Sequence, residues 1–283
     1  MQIQSNKIQD IFSFAQKYLA KIYNEKEINE FIYILLENYS SLDKTQVLAY
    51  KERGILESEL LKIVFAIKDL KKEKPIQYII GKTKFYGLDL LLNHNVLIPR
   101  AETEELVDII IKENKEKSGL IIADLCSGSG CIALALKKNL KNSRLFAYDI
   151  DDNSIIQIKE NAENLNLDIV IEKKDLLKDI SSNEKFDIIV SNPPYVMEKE
   201  KALMQNNVLK YEPEKAIFVK DDNPLIFYKS IYLFSQKFLK ENGKIFLEIN
   251  EALSKETANI FKEYKTKIIK DIFDKDRFLV VEK

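Results

Sequence analysis

Residues 120–130 read Leu120-Ile121-Ile122-Ala123-Asp124-Leu125-Cys126-Ser127-Gly128-Ser129-Gly130. The first five form an apolar run that ends in a carboxylate, which predicts a buried strand. Two of the chain's seven glycines follow, two positions apart, and a helical pattern begins after Gly130. Because glycine lacks a Cβ atom, it lets a chain turn sharply and lets a flat ligand touch the backbone. The stretch therefore predicts a strand, a tight loop and a helix, with a ligand site at the loop.

The alternation of strand and helix continues from this stretch to the end of the chain. Predicted strands cover residues 120–124, 144–149, 168–172, 186–190, 244–249, 267–273 and 278–282, and predicted helices cover 130–140, 152–165, 226–239 and 251–264. This order predicts an α/β fold with a doubly wound, mostly parallel sheet of seven strands that ends in an antiparallel hairpin. Ligands of such sheets bind beyond the carboxyl ends of the strands.

The residues before this sheet divide into further segments. Residues 1–74 contain no proline and repeat apolar side chains at helical spacing, which predicts a bundle of four or five helices. We expect it to dock a substrate or to act as a lid, and a purely structural appendage stays open as the simpler alternative. Residues 75–100 contain a hairpin with a glycine turn and are predicted to be a linker. Residues 101–283 form the predicted catalytic domain, whose first helix is expected to start at Thr103.

Composition excludes several classes of protein. Of 283 residues, 46% are hydrophobic and 31% charged, which is typical of a globular protein. The 44 basic and 45 acidic residues nearly cancel, which disfavours nucleic acid as a direct partner. No apolar run reaches the roughly 18 residues of a membrane span and the start lacks a signal-peptide pattern, so we expect a cytoplasmic protein without membrane contact. One histidine and two cysteines leave little room for a metal site, and none is predicted.

A carboxylate at the end of the second strand indicates a nucleoside cofactor. Asp149 has the spacing from the glycine loop at which an acid accepts hydrogen bonds from both ribose hydroxyls of adenosine. Residues 128–133 also fit the dinucleotide pattern Gly-x-Gly-x-x-Ala, so a nicotinamide-dependent oxidoreductase and a non-catalytic nucleoside-binding module stay open. Two observations favour S-adenosylmethionine. Asp124 suits an ammonium or sulfonium group better than a pyrophosphate, and the loop carries no lysine or arginine to meet phosphates.

A second motif, Ser191-Asn192-Pro193-Pro194-Tyr195, follows the fourth strand. A stiff turn accounts for the prolines but not for the polar amide and the aromatic ring beside them. A planar nitrogen with a delocalised lone pair is a poor nucleophile, so it must be held in line with the methyl donor. The side-chain oxygen of Asn192 and the carbonyl of Pro193 can accept its N–H groups, and Tyr195 can stack on the flat substrate. We therefore predict Asn192, Pro193 and Tyr195 as catalytic residues, within a substrate pocket formed by residues 192–195.

Five motifs occur in a fixed order along the chain: PIQYIIG at 75–81, FYGL at 85–88, LIPRAETE at 97–104, NPPY at 192–195 and YEP at 211–213. With the helical N-terminal segment, this set resembles the HemK-type protein-(glutamine-N5) methyltransferases of peptide chain release factors over nearly the whole chain. The resemblance implies a seven-strand methyltransferase domain and a helical domain that helps to hold the release factor. It also implies methylation of the glutamine in a Gly-Gly-Gln loop. Methyltransferases of adenine N6 have a similar Asn-Pro-Pro-Tyr motif, so that activity stays an alternative.

Carried over by position, the resemblance implies a set of cofactor contacts. S-adenosylmethionine would bind Cys126, Ser127, Gly128, Ser129, Gly130 and Asp149, with its adenine at Asp175 and Leu176, and would also contact Asn192.

The sequence departs from the family pattern at three positions. Cys126 stands at the usual first glycine of the loop, so we expect a negative φ there. Ala101 replaces a usual proline, which loosens the turn at Arg100. Asn250 stands where a glycine is common, which leaves the role of that strand end open.

Four other side chains lie near these motifs or have reactive groups. Arg100 and Glu102 are candidates to pair with each other or to border the pocket. Cys131 is expected, like Cys126, to be structural rather than redox-active. His94 is expected to be solvated in a loop.

Overall fold

A computed structural model of the protein describes residues 3–92, 96–179 and 181–283. The chain divides into two compact units. The helical unit comprises Met1–Gly81 and Gln205–Tyr211, and the sheet unit comprises Lys82–Met204 and Glu212–Lys283. The roles assigned above to residues 1–74, 75–100 and 101–283 stay predictions. The predicted environment of His94 lies outside the described residues.

The helices and strands of the described residues follow one another in this order: α1 (Ile8–Leu19), α2 (Glu25–Ser40), α3 (Lys44–Ala49), α4 (Glu57–Leu70), α5 (Ile76–Ile80), β1 (Lys82–Phe85), β2 (Leu88–Leu91), α6 (Ala101–Asn114), β3 (Ile121–Leu125), α7 (Cys131–Asn139), β4 (Arg144–Asp149), α8 (Asp152–Asn164), β5 (Val170–Lys173), β6 (Phe186–Ser191), β7 (Val196–Met197), α9 (Asn206–Tyr211), β8 (Phe218–Val219), α10 (Ile226–Phe238), β9 (Leu239–Glu248), α11 (Ser254–Ile260), β10 (Lys265–Lys270) and β11 (Asp276–Glu282). Short 3₁₀ turns cover Glu198–Leu203, Glu214–Ala216 and Glu251–Leu253. In the part of the chain that the structure describes, we find no helix with both the length and the apolar character of a membrane span.

An apolar core and reciprocal caps hold the helical unit together. The core is formed by fully buried isoleucines of α1, α2 and α4, among them Ile32 and Ile63. Helix α2 begins with a capping box, in which Asn24 accepts from the backbone N–H of Glu27 over 3.0 Å and the Glu27 carboxylate accepts from that of Asn24 over 3.1 Å. Helix α9 joins this unit from far along the chain, and its Tyr211 hydroxyl donates to the carbonyl of Lys72. The predicted helical bundle is therefore present, with an added helix that the sequence pattern did not indicate.

The sheet unit contains the predicted seven-strand sheet. Its strand order is β10-β11-β9-β6-β3-β4-β5. The five strands from β9 to β5 run parallel, whereas β11 pairs antiparallel with both β9 and β10. Buried side chains on both faces of the sheet pack against helices, which is why strands such as β3 are mostly apolar, with Asp124 as the one carboxylate in β3. The predicted fold class is confirmed.

The predicted hairpin before the sheet is also present. Strands β1 and β2 pair antiparallel around a two-residue turn of Tyr86 and Gly87. Both turn residues have positive φ, 45° and 73°, as a tight hairpin turn that follows the strand twist requires.

Several element boundaries differ from the sequence prediction, among them those of α6, β9 and α11. Helix α6 starts at Ala101 rather than at Thr103, whose hydroxyl bonds to another side chain instead of capping the helix. Strand β9 starts at Leu239, five residues before the predicted start, and its pairing with β6 is interrupted by a register shift before Lys244. The last predicted helix is divided into a 3₁₀ turn and α11, because Asn250 caps the turn by accepting from the N–H of Ala252.

Candidate active site

The carboxyl ends of β3, β4 and β6 converge at one edge of the sheet. The backbone N–H of Gly128, in the loop after β3, donates to the Asp149 carboxylate at the end of β4 over 2.8 Å. The Ser191 hydroxyl at the end of β6 donates to the carbonyl of Leu125 over 2.6 Å. The predicted convergence of these strand ends is therefore confirmed.

The glycine loop differs from the prediction at its first position. Cys126 has a φ of 60°, so the expected negative φ is wrong. The chain must reverse from strand to helix directly after Leu125, and the N–H of Ser127 donates to the carbonyl of Tyr148 over 3.0 Å. A left-handed residue with a side chain costs about 1–2 kcal/mol, and the hydrogen bonds of the turn offset that cost.

The two glycines of the loop have different roles. Gly128 has a φ of 55°, and a Cβ placed there would meet no atom within 4 Å, so its backbone is open to a ligand. Gly130 has a φ of 79° and begins α7, where a Cβ would lie 3.0 Å from Ile158. Gly128 therefore exposes the backbone, whereas Gly130 lets α7 pack closely against α8.

One pocket lies over these strand ends, entirely within the sheet unit. The predicted site residues that line it are Cys126, Ser127, Gly128, Ser129, Asp149, Asp175, Leu176, Asn192 and Pro194. Asp124, Gly130, Pro193 and Tyr195 are absent from its described wall. The sequence analysis missed the wall formed by residues 96–98 and by residues 213–216, although motifs in both regions carried the family resemblance.

Asp149 is oriented by backbone donors on both of its oxygen atoms. Oδ2 accepts from Gly128 and Oδ1 accepts from the N–H of Asp151 over 2.9 Å. Burial raises the pKa of Asp149 above its ordinary value, and these two donors act in the opposite direction. Each carboxylate oxygen can accept more than one hydrogen bond, so lone pairs remain for the hydroxyl groups of a ribose.

Asp124 lies beneath the loop rather than in the pocket wall. It is fully buried, and its Oδ2 accepts from the N–H of Ala133 in the first turn of α7 over 3.2 Å. Its Oδ1 is buried without a hydrogen-bond partner among the described residues. Burial raises the pKa of Asp124 to about 7. The structure therefore assigns Asp124 a part in holding the start of α7, and its predicted contact with the cofactor stays a prediction.

The side chain of Asn192 is held in one orientation by Thr103. Its Nδ2 donates to the Thr103 hydroxyl over 3.1 Å, whereas its Oδ1 accepts from no group in the described part of the chain. Pro193 and Pro194 are buried, and Pro194 reaches the pocket. The Tyr195 hydroxyl donates to Glu248 over 2.9 Å, which fixes the ring beside the pocket.

Two segments of the pocket wall are joined by an ion pair whose acidic member is not the candidate that the sequence offered. Arg100 pairs through Nη2 with Glu212 over 2.7 Å, not with Glu102. The buried Glu212 carboxylate also accepts from the N–H of Ile98 over 3.2 Å. Residues 96–100 and 213–216 are therefore fixed to each other, and Arg100 borders the pocket as one of its two predicted roles required.

The two cysteines are free thiols. Burial raises the pKa of Cys131 to about 12, and it also raises the pKa of Cys126. A thiol reacts as its thiolate, so these shifts support the predicted structural role of both residues.

Comparison with known proteins gives concordant matches along the chain. The family model described as Methyltransferase small domain matches residues 102–212, and the PrmC N-terminal domain matches residues 10–81. A release factor glutamine methyltransferase of Flavobacterium psychrophilum is 43% identical over 93% of this chain and 94% of the relative. A release factor glutamine methyltransferase of Bacteroides thetaiotaomicron is 36% identical over 96% of this chain and 99% of the relative.

Among solved structures, a methyltransferase from Pyrococcus furiosus is similar in fold. The TM-score is 0.52 at 18% identity, and the match covers 80% of this chain and 98% of that structure. At this level of identity the likeness bears on the fold alone.

Proposed function

The chain belongs to the release factor glutamine methyltransferase family, and we propose that its substrate is the glutamine in the Gly-Gly-Gln loop of a peptide chain release factor. It is a methyltransferase, with S-adenosylmethionine as the methyl donor. The methyl group is transferred to the side-chain amide nitrogen of the glutamine. The observation that carries this proposal is the orientation of Asn192, which turns its amide nitrogen to Thr103 in the same pocket that Asp149 lines.

The residues of the pocket fit this cofactor. Asp149 would accept the ribose hydroxyls, and the open backbone of Gly128 would lie against the rest of the nucleoside. Leu176 and its neighbour Leu177 line the same pocket and would provide an apolar surface for adenine. When bound, the cofactor supplies an electrophilic methyl group on a sulfonium.

The substrate amide is aligned in this proposal and is not deprotonated before transfer. Its nitrogen gains the methyl group as the methyl–sulfur bond breaks, and it then releases one proton to solvent. Asn192 Oδ1 would accept one N–H of the glutamine amide, and the carbonyl of Pro193 would accept the other. Both acceptors belong to a turn that two prolines restrict, so the nitrogen is held with its weak lone pair toward the methyl group. Alignment of reacting groups contributes about 7–11 kcal/mol to lowering a barrier when the geometry is held. Tyr195, fixed by Glu248, would pack against the flat amide.

Methyl transfer to a release factor is the direct test. The purified chain is incubated with S-adenosylmethionine labelled in its methyl group and with a release factor, or with the same factor in which the loop glutamine is replaced. We expect label on the first substrate and none on the second. Label that persists on the replaced substrate, or no label on either, would contradict the proposal. Asn139→Ala serves as a control in later variants, since Asn139 is exposed and bonds to the Ala135 carbonyl of its own helix.

Ligand binding separates the proposal from the oxidoreductase alternative. Calorimetry is expected to show binding of S-adenosylhomocysteine and no binding of NAD. Family membership likewise gives no support to an adenine-N6 methyltransferase, and a salt-sensitive shift of nucleic acid on a gel would be needed to revive that activity.

The helical unit is proposed to hold the release factor, in the cytoplasm where translation ends. Helix α4 exposes Leu61 and Phe65, which are 57% and 56% exposed. Residues four positions apart lie on the same face of a helix, so these two side chains form one apolar patch. A protein substrate that covers this patch would remove it from water.

A further inference from the structure

A buried carboxylate, Glu248, ends strand β9 beside the pocket. It is 2% exposed, and its two oxygen atoms accept from different hydroxyl groups. Thr103 donates to Oε2 over 2.7 Å, and Tyr195 donates to Oε1 over 2.9 Å. Tyr228 adds a hydrogen bond of 3.1 Å to the main-chain carbonyl of the same residue. An ionised carboxylate can only accept, so Glu248 fixes the direction in which both side-chain hydroxyls point.

The hydrogen-bond direction that Glu248 imposes on Thr103 also determines the orientation of the Asn192 amide. A threonine hydroxyl has one proton, and the proton of Thr103 is given to Glu248. The Thr103 oxygen can therefore only accept from Asn192, which presents its Nδ2 to it over 3.1 Å. The Asn192 Oδ1 is then left for a ligand. The Glu248 carboxylate, two hydrogen bonds away from Asn192, thus determines that Asn192 presents its Oδ1 to the pocket.

Charged groups around Glu248 act on its ionisation in opposite directions. Burial raises the pKa of Glu248, and so does the nearby charge of Glu102, whereas Arg277 lowers it. Arg277 in turn pairs with Asp271, at 3.1 Å between Nε and Oδ2. The network therefore links the ends of β6, β9 and β11 to the first turn of α6.

We propose that Glu248 and Thr103 are positioning residues, which act through Asn192 to present an oxygen rather than an amide N–H to the substrate glutamine. This inference rests on the proposed function. If the Asn192 amide turned over, its Nδ2 would face the substrate N–H that Oδ1 otherwise accepts, and two donors would meet with no acceptor between them. The nitrogen of the substrate would then lose its alignment with the methyl group, while the cofactor contacts at Asp149 would be unchanged.

Two substitutions that each remove one hydroxyl donor from Glu248 test this inference. Thr103→Val breaks the connection to Asn192 and keeps the shape of the side chain, whereas Tyr195→Phe leaves that connection intact. Thr103→Ser keeps the hydroxyl and should restore activity. Thr257→Val is the control for loss of a hydroxyl from a buried threonine. Thr257 is fully buried, and among the described residues its hydroxyl donates only to the nearby Leu253 carbonyl.

We expect Thr103→Val to lower kcat for release-factor methylation about 100-fold, the scale of loss for a misaligned reacting group. Its affinity for S-adenosylhomocysteine should stay within about threefold of the wild type, since Asp149 is untouched. Tyr195→Phe should lose about tenfold or less, Thr103→Ser should recover most of the activity, and Thr257→Val should keep it. Thermal unfolding of each variant shows whether it folds, and Thr103→Ala replaces Thr103→Val if the latter does not.

The outcomes separate this inference from the proposed function. A Thr103→Val enzyme with wild-type kcat would overturn the inference. Equal losses in Thr103→Val and Tyr195→Phe would do so too, because they would mean that Glu248 merely needs its donors. A Thr103→Ser enzyme with a kcat as low as that of Thr103→Val would also overturn the inference. A wild-type protein that methylates no release factor would instead overturn the proposed function, and the inference with it.

Discussion

The helical unit and the pocket edge of the sheet unit are built in different ways. The helical unit relies on an apolar core and on local caps such as that of Asn24, whose partner is three residues away. The pocket edge relies on hydrogen bonds between residues far apart in sequence, such as Thr103 with Glu248 and Arg100 with Glu212. We conclude that the helical unit provides stability and an exposed surface. The pocket edge holds polar atoms in defined positions. Substitutions in the two regions should therefore affect different measurements.

The largest effect is expected at Asn192. Asn192→Ala removes the acceptor that aligns the substrate nitrogen, so kcat should fall at least about 1,000-fold, while affinity for S-adenosylhomocysteine stays within about tenfold. Methylation kinetics and calorimetry measure the two quantities, with Asn139→Ala as the control. A large loss of cofactor affinity with little loss of kcat would mean that Asn192 serves the cofactor and not the substrate.

A substitution in the core of the helical unit should give the opposite pattern. Ile32 is fully buried, so Ile32→Ala should lower the free energy of unfolding by about 2–5 kcal/mol through lost burial and a cavity. Urea unfolding followed by circular dichroism measures this change. The kcat of the folded variant should match the wild type, and a fall in kcat at temperatures where the variant is fully folded would argue against the separation of roles.

The exposed patch on α4 should affect substrate affinity alone. Phe65→Ser removes an aromatic side chain that a docked release factor would cover, so KM for the whole factor should rise about tenfold. Neither kcat nor stability should change much, because Phe65 is exposed. Steady-state kinetics with the whole factor and with a short peptide of its loop provide the measurement. An equal rise in KM for the peptide would contradict docking on this patch.

The pH dependence of kcat tests the network around Glu248. Burial raises the pKa of this carboxyl, so it takes up a proton at a higher pH than an ordinary glutamate, whose pKa is 4.5. A protonated Glu248 no longer fixes the Thr103 hydroxyl, so kcat should fall as the pH drops through this raised pKa. Burial raises the pKa of Asp149 as well, but protonation of Asp149 should affect the pH profile of kcat in Thr103→Val and in the wild type alike. Identical pH profiles for wild type and Thr103→Val would count against the network.

The smallest effect concerns the start of α6. Ala101 is the first residue of that helix and Arg100 has an extended conformation, with φ of −100° and ψ of 148°. Proline suits both features, so Ala101→Pro should stabilise the protein by about 0.4–1 kcal/mol, through a more restricted unfolded chain. The shift of the thermal midpoint is the measurement. A lower midpoint would contradict this expectation and would show that proline does not fit the backbone at the start of α6.

Periodic features of this chain could be predicted from the sequence. Strand β4 matches its predicted range, and the loop from Cys126 to Gly130 was placed correctly, because apolar runs and glycines are local signals. The φ of Cys126 was not predictable in this way. Its sign is set by the turn between β3 and α7 and by the hydrogen bond of Ser127 to β4, which no local preference encodes.

The partners of the site residues could not be predicted for a related reason. Glu248 and Thr103 are 145 positions apart, and the packing of α6 against β9 brings them together. Asn250 was left open because a glycine is common there in the family. The structure gives it a defined role, since its Nδ2 donates to the Tyr195 carbonyl over 3.1 Å. Likewise, α9 has only 6 residues, too few for a periodic signal, and it is stabilised by packing with the helical unit.

Mass spectrometry of the release factor after incubation with enzyme and S-adenosylmethionine shows whether Asn192 directs a methyl group to the loop glutamine. We expect that the loop peptide gains the mass of one methyl group, that fragmentation places it on the glutamine side chain, and that Asn192→Ala leaves the peptide unmodified. A methyl group on any other residue, or equal modification by Asn192→Ala, would contradict it.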